Sequence, residues 1–348
     1  MTFSIYRRTR SARLRVTTPE GVSVTVENLQ GDRGCSLAFE ATRRMDEYPG
    51  EFSVKAYNLP ADALGTIEYA QVRRVDDLDQ MLSGLPLQTA VANDQGEDAL
   101  AAGFCQVELE AGYDGVMSRV FKAIGSRIRT RRVGGDVTDE TTIEAAEDLD
   151  AVLLGVPLRS FTAGASTFEV VDYLRRIAGL GPGNLTPANL SALLGDSRLN
   201  AGYHCSGGQA LSHLKNVLQY LPLRWFIDDR EFWICGRDDQ PNPGGVPCYV
   251  TDGIGEPDLF LSRPERADGG RVRVECLLTP RIRVGRLVRL TPGGLALALQ
   301  GLSPDAKQQA YALVPPGLYR CDEVAHRGST TGSDWTTTML LRPGVAVL

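Results

Sequence analysis

The chain contains few of the residues that most catalytic and metal sites use. It has three histidines and seven cysteines among 348 residues, and no two cysteines are closer than thirteen positions. Structural zinc sites usually take ligands two to four residues apart, so this spacing argues against one. An odd set of widely spaced cysteines also gives no disulfide framework. We therefore expect reduced thiols, as in a cytoplasmic protein.

Long apolar runs and an excess of positive charge are also missing. No stretch approaches the roughly 18 apolar residues of a membrane-spanning helix, and residues 1–15 carry charges where a signal peptide would be apolar. The formal net charge is −6, whereas nucleic-acid and anionic-membrane partners favour a basic surface. The sequence predicts a protein that stays in the compartment where it is made and contacts no membrane.

Lysine is scarce, with four residues against 33 arginines. Several arginines alternate with aliphatic residues in segments that read as strands, where planar guanidinium groups could pair with carboxylates of neighbouring subunits. A GC-rich genome would give the same count. The arginines in question are Arg127, Arg129, Arg271, Arg273, Arg281 and Arg283.

Length and patterning predict three regions, the first of them β-rich and spanning residues 1–149. Its alternating segments are 14–16, 22–26, 52–57, 105–110, 116–129 and 141–145. A short helix is expected over 61–70. The poorly patterned residues 71–102 are interpreted as a long insertion or mobile loop.

Residues 150–237 are expected to form a small α+β domain. Apolar spacing predicts helices over 167–178, with Thr167 as the N-cap, and over 208–221, followed by a hairpin over 223–235. Residues 236–247 resemble a linker. A second β domain, residues 238–348, would contain strands at 271–277 and 281–290 and a hairpin of 319–326 with 334–341.

The sequence contains only weak candidates for catalytic, cofactor-binding or metal-binding residues. Gly179–Gly183 follows a helix and reads as a helix stop rather than a phosphate loop. Tyr203, His204 and Cys205 with His213 lack a recognisable ligand or nucleophile spacing. Acidic pairs are nonspecific in a chain of this size; they are Glu108 with Glu110, and the run Glu144, Glu147, Asp148 and Asp150. We predict no catalytic, cofactor-binding or metal-binding residues, and no enzyme.

An aromatic group, Trp225, Phe226, Phe232 and Trp233, has two interpretations. Packing of the hairpin against the helix over 211–221 is favoured. Stacking on sugars or bases is the alternative.

Four segments are informative when they are taken in order: 51–60, 107–115 with 120–122, 142–148 and 277–338. Together they resemble the baseplate hub proteins of contractile-tailed bacteriophages, in particular the Mu-like tail hub family. The segment 51–60 resembles that family's strand ending in a Tyr-Asn-Leu turn. Residues 107–115 with 120–122 resemble its EAGYDG and VFKG strand pair, although Ala123 replaces the usual glycine. Residues 142–148 resemble the TxIEAxD strand. The closing segment, 277–338, resembles the family's last domain, with Ser329 where aspartate is common.

The resemblance implies a mainly β fold with two tail-tube-like β-barrel domains and an inserted α+β domain. It implies a structural homotrimer that forms a pseudo-sixfold ring, joins the tail tube to the central spike and initiates tube assembly. Expected partners are the tail tube protein, the spike protein, the tape measure protein and the baseplate wedge proteins, with DNA only as cargo in the channel. Assembly would occur in the host bacterial cytoplasm and the product would reside in the virion baseplate. A tail-associated peptidoglycan hydrolase and a glycan-binding β-domain protein are the alternatives.

Overall fold

The computed structural model describes residues 9–18, 21–28, 35–45, 50–67, 105–133, 138–147, 156–205, 208–237, 261–262, 264–290, 303–306, 308 and 317–343. Side chains of residues 126, 132, 133 and 138 are also outside the description. The segment 71–102, the linker from 238 onward, Asp148 and Asp150 therefore lie outside the described residues.

Sixteen strands and three helices are named here, and residues 61–67 are also helical. The strands of the first region are β1 Arg10–Thr17, β2 Ser23–Asn28, β3 Ser36–Arg44, β4 Glu51–Tyr57, β5 Gln106–Tyr113, β6 Val116–Val133 and β7 Thr138–Ala146. The middle region contains β8 Ser160–Phe161, α1 Thr167–Ile177, α2 Pro187–Leu194, β9 Tyr203–His204, α3 Ala210–Leu218, β10 Leu223–Asp228 and β11 Glu231–Gly236. The last strands are β12 Glu265–Arg266, β13 Val272–Leu277, β14 Leu287–Leu290, β15 Gly317–Ser329 and β16 Trp335–Pro343.

One antiparallel sheet joins the first and last regions. Its order is β12-β13-β16-β15-β3-β4-β7-β6-β5-β1-β2, with β14 paired to β15. The mainly β prediction is confirmed. The alternation of the sequence explains the strands: in β4, for example, Phe52, Val54 and Ala56 are buried while their neighbours are more exposed.

The seam of this sheet is the antiparallel pair β3 and β15. Its register places Ala41 opposite His326 and Glu40 opposite Arg327. Moving away from the seam, each side presents a hairpin and then a further antiparallel strand: β3-β4-β7 on one side and β15-β16-β13 on the other. The first and last regions of the chain thus share one hydrogen-bonded sheet. On either side of the seam the strands follow in the same arrangement, a hairpin and then a further strand.

Three hydrophobic clusters fill the molecule. The first lies under β1, β3 to β7 and residue Ile67, the second packs α1, α2 and α3 on one face of hairpin β10–β11, and the third lies under β13 to β16. Phe226 and Cys235 of the hairpin belong to the third cluster. Trp335 of β16 belongs to the first, at the edge of Phe39 with 5.7 Å between ring centroids. The clusters are therefore linked by side chains that cross between them.

The predicted strand over 281–290 is wrong in its first half. Only Leu287–Leu290 forms a strand, and residues 278–286 form turns in which Ile282, Arg283 and Val284 are all buried. Gly285 adopts a φ of +78°, a conformation that glycine reaches without steric cost. The apparent arginine–aliphatic alternation there arises from a compact loop, so Arg283 does not face solvent.

Two further differences concern helices. Ser166, not Thr167, occupies the N-cap of α1; Thr167 is buried and its hydroxyl lies 2.9 Å from that of Ser197. Helix α2 carries no prediction, although Thr186 followed by Pro187 is a typical start, and the Thr186 side chain accepts a hydrogen bond from the Asn189 amide at 3.1 Å. None of the helices in the described ranges is long and apolar enough to cross a membrane.

Candidate functional site: the buried charged junction

The turn between β10 and β11 carries two adjacent carboxylates to the centre of the molecule. Asp228 pairs in register with Glu231, so Asp229 and Arg230 form a two-residue turn, and both have positive φ, 52° and 63°. Such turns match the right-handed twist of a hairpin and require positive φ at both central residues. The turn projects Asp228 into a buried position while the Asp229 side chain stays 45% exposed.

Arg283 holds this turn from the C-terminal part of the chain. Its Nη1 lies 2.6 Å from Asp228 Oδ1 and 2.9 Å from Asp229 Oδ2, and only 8% of its side chain is exposed. Arg286 Nη2 adds a third contact, 3.6 Å from Asp228 Oδ2. Burial acts to lower the pKa of Arg283, but the charges and hydrogen bonds of Asp228 and Asp229 together outweigh it and the pKa is raised. Arg283 is therefore charged at any ordinary pH.

The N-terminal sheet reaches the same turn through Arg119 of β6, whose Nη2 lies 2.7 Å from Asp229 Oδ2. Burial alone would raise the pKa of Asp229, yet the charges of Arg283 and Arg119 hold it below the ordinary value. One hairpin tip of the middle region thus contacts an arginine from each of the two β regions. We call the set Arg43, Arg119, Glu147, Asp228, Asp229, Arg283 and Arg286 the charged junction.

A second buried pair completes the junction at the sheet seam. Arg43 of β3 donates from Nε to Glu147 Oε2 at 3.0 Å and from Nη1 to the Val120 carbonyl at 3.0 Å. Its guanidinium also lies 4.8 Å from the centre of the Phe52 ring. Burial raises the pKa of Glu147 despite the opposing charge of Arg43. A buried charge with a single charged partner is stabilised mainly by the completeness of its hydrogen bonds.

His326 lies fully buried beside the junction, opposite Ala41 at the seam. Its Nε2 lies 3.1 Å from the Ile282 carbonyl, which can only accept, so this nitrogen carries the proton. Its Nδ1 then accepts from Thr337 Oγ1 at 2.9 Å. Burial lowers the pKa of His326 to about 3, helped by the positive charges of Arg43 and Arg283. The ring is neutral near neutral pH and serves as a fixed hydrogen-bonding bridge between β15, β16 and the 278–286 loop.

Asp322 forms a similar bridge within the C-terminal strands. It accepts from Arg320 Nε at 2.8 Å and from Arg342 Nε at 2.9 Å, at the irregularity in the β15–β16 register. Its carbonyl accepts from the Met45 amide at 2.8 Å, where the chain leaves β3. The buried arginine–carboxylate groups at Arg43 and at Asp322 therefore lie at the same end of the seam, where Arg44 pairs with Glu323.

The outward face of the sheet carries ion pairs across neighbouring strands. Arg13 bonds Glu27 and, at 2.9 Å, Glu110; Arg131 lies 2.9 Å from Glu140. Arg327 of β15 lies 2.6 Å from Glu40 of β3, across the seam. All of these pairs form within one chain. These arginines are not among the six that the sequence singled out; of those six, Arg283 pairs with carboxylates of its own chain, and pairing with neighbouring subunits stays a prediction.

The acidic candidates have structural surroundings. Glu110 and Glu108 face Arg13 and Arg15 across β1 and β5, at 2.9 and 3.9 Å. Glu144 is exposed in β7, whereas Glu147 belongs to the charged junction. They do not form a facing pair in a cleft. No group of three or more metal-ligating side chains converges in the part of the chain that the structure describes.

The two histidines of the middle region make separate contacts. His204 Nδ1 bonds the Ser160 hydroxyl on the exposed pair β8–β9, whereas His213 Nδ1 lies 2.9 Å from the Tyr203 hydroxyl. Cys205 is buried, and burial raises its pKa, which favours the unreactive thiol. Among the described residues no carboxylate contacts the Ser160–His204 pair, so a catalytic triad is not assembled by them.

The aromatic hairpin residues divide between two faces. Trp225 stacks with Phe232 in the helical cluster at 6.0 Å between centroids, as the packing interpretation predicts. Phe226 stacks with Trp233 at 6.2 Å on the opposite face, against the C-terminal cluster. The two tryptophans therefore do not form one platform for a sugar.

Sequence reasoning missed the charged junction. The sequence pattern predicts the hairpin over 223–235, but it assigns no role to Asp228, Asp229, Arg43 or Arg119. The available signal was the Asp-Asp-Arg turn between two aromatic strands, which places carboxylates at a tip but does not name their partners.

The described residues can now be compared with known proteins. No protein-family model matches the chain, and no curated protein matches it. A solved structure of the 43 kDa tail protein of prophage MuSo2 from Shewanella oneidensis is similar, with 8% identity, 95% of this chain and 96% of that chain covered and a TM-score of 0.51. A tail protein from Neisseria meningitidis MC58 has 8% identity, 95% and 96% coverage and a TM-score of 0.48. The E. coli c3393 protein, a component of the type VI secretion system, has 9% identity, 91% and 76% coverage and a TM-score of 0.47.

At 8% identity, the likeness to the MuSo2 protein shows only that the two chains share a fold. The other two structures have TM-scores below 0.5, so no conclusion is based on them. The likeness to the MuSo2 protein covers 95% of this chain and 96% of that chain. The resemblance to phage tail proteins that the sequence motifs indicate is confirmed at this level. The chain has the fold of the 43 kDa tail protein of prophage MuSo2.

Proposed function

We propose that the protein is a structural baseplate hub of a contractile phage tail. The observation that supports this most is the fold likeness to the prophage MuSo2 tail protein over 95% of the chain. In this proposal the protein performs no bond chemistry. It acts by presenting surfaces of defined symmetry to other tail proteins.

The domain division proposed for this function is 1–149, 150–237 and 238–348. The three hydrophobic clusters support it, since each is built mainly from one of these ranges. The β domains would be tail-tube-like barrels. The continuous pairing of β3 with β15 supports a fixed relation between them, because antiparallel strands with seven paired positions do not slide without losing hydrogen bonds.

Symmetry adaptation follows if three copies assemble. Each chain has two β regions, so a homotrimer would present six, arranged as a pseudo-sixfold ring between a sixfold tube and a threefold spike. Such a ring would initiate tube assembly on one side and hold the spike on the other. The tape measure protein and the wedge proteins are further proposed partners, and DNA would pass through the channel as cargo.

Rigidity of each protomer is what an adaptor of this kind requires, and the charged junction supplies it. Arg119 and Arg283 hold one hairpin tip from two β regions, within 2.7 to 2.9 Å of Asp229. Arg283 also contacts the buried Asp228 at 2.6 Å, and breaking that pair would leave an uncompensated charge, so the hairpin and the C-terminal region resist separate movement. We place the assembled protein in the virion baseplate, after assembly in the bacterial cytoplasm.

Electron microscopy of the purified protein tests the proposal. A three-lobed ring with a central hole is the expected projection. Separate, compact monomers at micromolar concentration would contradict it. Clearing of purified cell walls by the protein, measured as loss of turbidity, would favour the hydrolase alternative instead.

A further inference from the structure

A pocket opens on the middle region, between the end of helix α3 and the start of strand β10. Its volume is about 390 Å³. Three apolar side chains, Leu218, Leu223 and Trp225, lie among its lining residues. That volume is at the lower end for sites that enclose small ligands, and is large enough for one or two side chains.

Among the described residues that line the pocket, the charged ones are all cations. They are Lys215, Arg224 and Arg237. Lys215 and Arg237 are exposed, and Arg224 is half-buried. The whole chain carries a net charge of −6, so this concentration of positive charge is opposite in sign to the bulk of the protein. A concave surface lined by one sign of charge concentrates ligands of the other sign.

The apolar lining is fixed in position by the core. Leu218, Leu223 and Trp225 are all buried, and Trp225 is stacked on Phe232. A ligand group entering the pocket would therefore meet a preformed surface and would not have to order it. Preorganised apolar floors surrounded by charge are typical of the places where a partner inserts an anchoring side chain.

Tyr220 lies beside this pocket in the chain, two residues after Leu218, and its side chain is 82% exposed. Tyrosine and arginine are enriched at the centres of protein interfaces, because they offer a large contact area with a polar end. A tyrosine so exposed beside three cations adds a second feature of a protein-binding surface.

We infer that the pocket binds an acidic segment of a partner polypeptide. In this arrangement an apolar side chain of the partner occupies the floor at Leu218, Leu223 and Trp225. Carboxylates on either side of it pair with Lys215 and Arg237. The inference goes beyond the hub function, because binding of such a segment requires one protomer only and no ring.

A nucleic acid fits the pocket less well. Phosphate backbones are bound by cations repeated along an extended path, whereas these cations surround one concavity with an apolar floor that a phosphate chain would not use. The remainder of the chain is acidic, which opposes close approach of a long polyanion.

Calorimetric titration of the full-length protein with three short acetylated peptides tests the inference. The first is Glu-Asp-Leu-Asp-Glu, the second replaces leucine with alanine, and the third replaces the acids with their amides. The test variant is Lys215→Glu with Arg237→Glu. The control is Arg176→Glu with Arg198→Glu, two arginines of the same region that are about 60% exposed and change the net charge equally.

The acidic leucine peptide is expected to bind the wild type and the control variant equally. Its affinity should fall at least about tenfold with the test variant, and by a similar factor on exchange of leucine for alanine. The amide peptide should bind weakly to every form. Equal affinities for the test and control variants, or a double-stranded DNA that binds the wild type more tightly than the peptide does, would overturn the inference. Circular dichroism melting confirms that both variants fold, and the oligomeric state measured on the same samples tests the hub function separately.

Discussion

Removal of the guanidinium of Arg283 is the sharpest perturbation of the charged junction. The variant Arg283→Met keeps the length of the side chain but leaves Asp228 buried, with 4% of its side chain exposed and, among the described residues, Arg286 as its remaining ion-pair partner at 3.6 Å. Breaking a buried ion pair by removing one partner costs about 3–5 kcal/mol, and the nearby Arg286 places this case near the lower end.

The matched control is Asp229→Asn. Asp229 is 45% exposed, so solvent screens its contacts with Arg283 and Arg119, and asparagine tolerates the positive φ of this position. Its loss should cost at most about 1 kcal/mol. The double variant Arg283→Met with Asp228→Asn should be more stable than Arg283→Met alone, because no uncompensated charge remains buried.

Urea denaturation followed by tryptophan fluorescence measures these free energies. Trp233 and Trp225 lie on β11 and β10, whose turn carries the two aspartates, so the signal reports directly on the region that is perturbed. The reasoning fails if Arg283→Met costs less than about 1 kcal/mol, or no more than Asp229→Asn does.

Three more outcomes follow from the same contacts. Gly285→Ala should destabilise the protein by more than about 2 kcal/mol, because a Cβ at this position would lie 2.1 Å from the Phe226 ring. The control Gly21→Ala has a similar φ but open space around it, so it should cost about 1 kcal/mol, and equal losses of stability in thermal melts would contradict the contact. Burial lowers the folded-state pKa of His326 to about 3, so the stability that its neutral form contributes is complete above the ordinary pKa of 6.5 and is lost as the pH falls towards 3. His326→Gln should therefore flatten the stability–pH curve between pH 6.5 and 3, and an unchanged slope would contradict this reasoning. Thr186→Ala should lower stability by about 1 kcal/mol through loss of the α2 cap, and an effect below 0.3 kcal/mol, checked against Ser166→Ala, which removes no cap bond, would refute the cap.

Local pattern was sufficient to predict most strands of the sheet. Alternation predicted β1, β2 and β4 to within a few residues, and the amphipathic stretches predicted α1 and α3, because in these segments one face is buried and the other is not. The strand prediction for residues 281–290 was wrong in its first half for a related reason. Its alternation is the same, but Gly285 at positive φ turns the chain and buries Arg283 along with its apolar neighbours.

The junction could not be predicted because its members are far apart in the sequence. Arg43 and Glu147 are separated by 104 positions and Arg119 and Asp229 by 110. Charge and residue type alone do not identify such partners. The pairing of β3 with β15, which joins the first and last regions of the chain, could not be predicted for the same reason. The register between two distant strands is set by the whole core and not by either strand alone.

The mass of the protein in solution tests the central claim most directly. The chain mass is 37.7 kDa, so a homotrimeric hub predicts a species of about 113 kDa by mass photometry or light scattering at micromolar concentration. A stable monomer of about 38 kDa under the same conditions would contradict it.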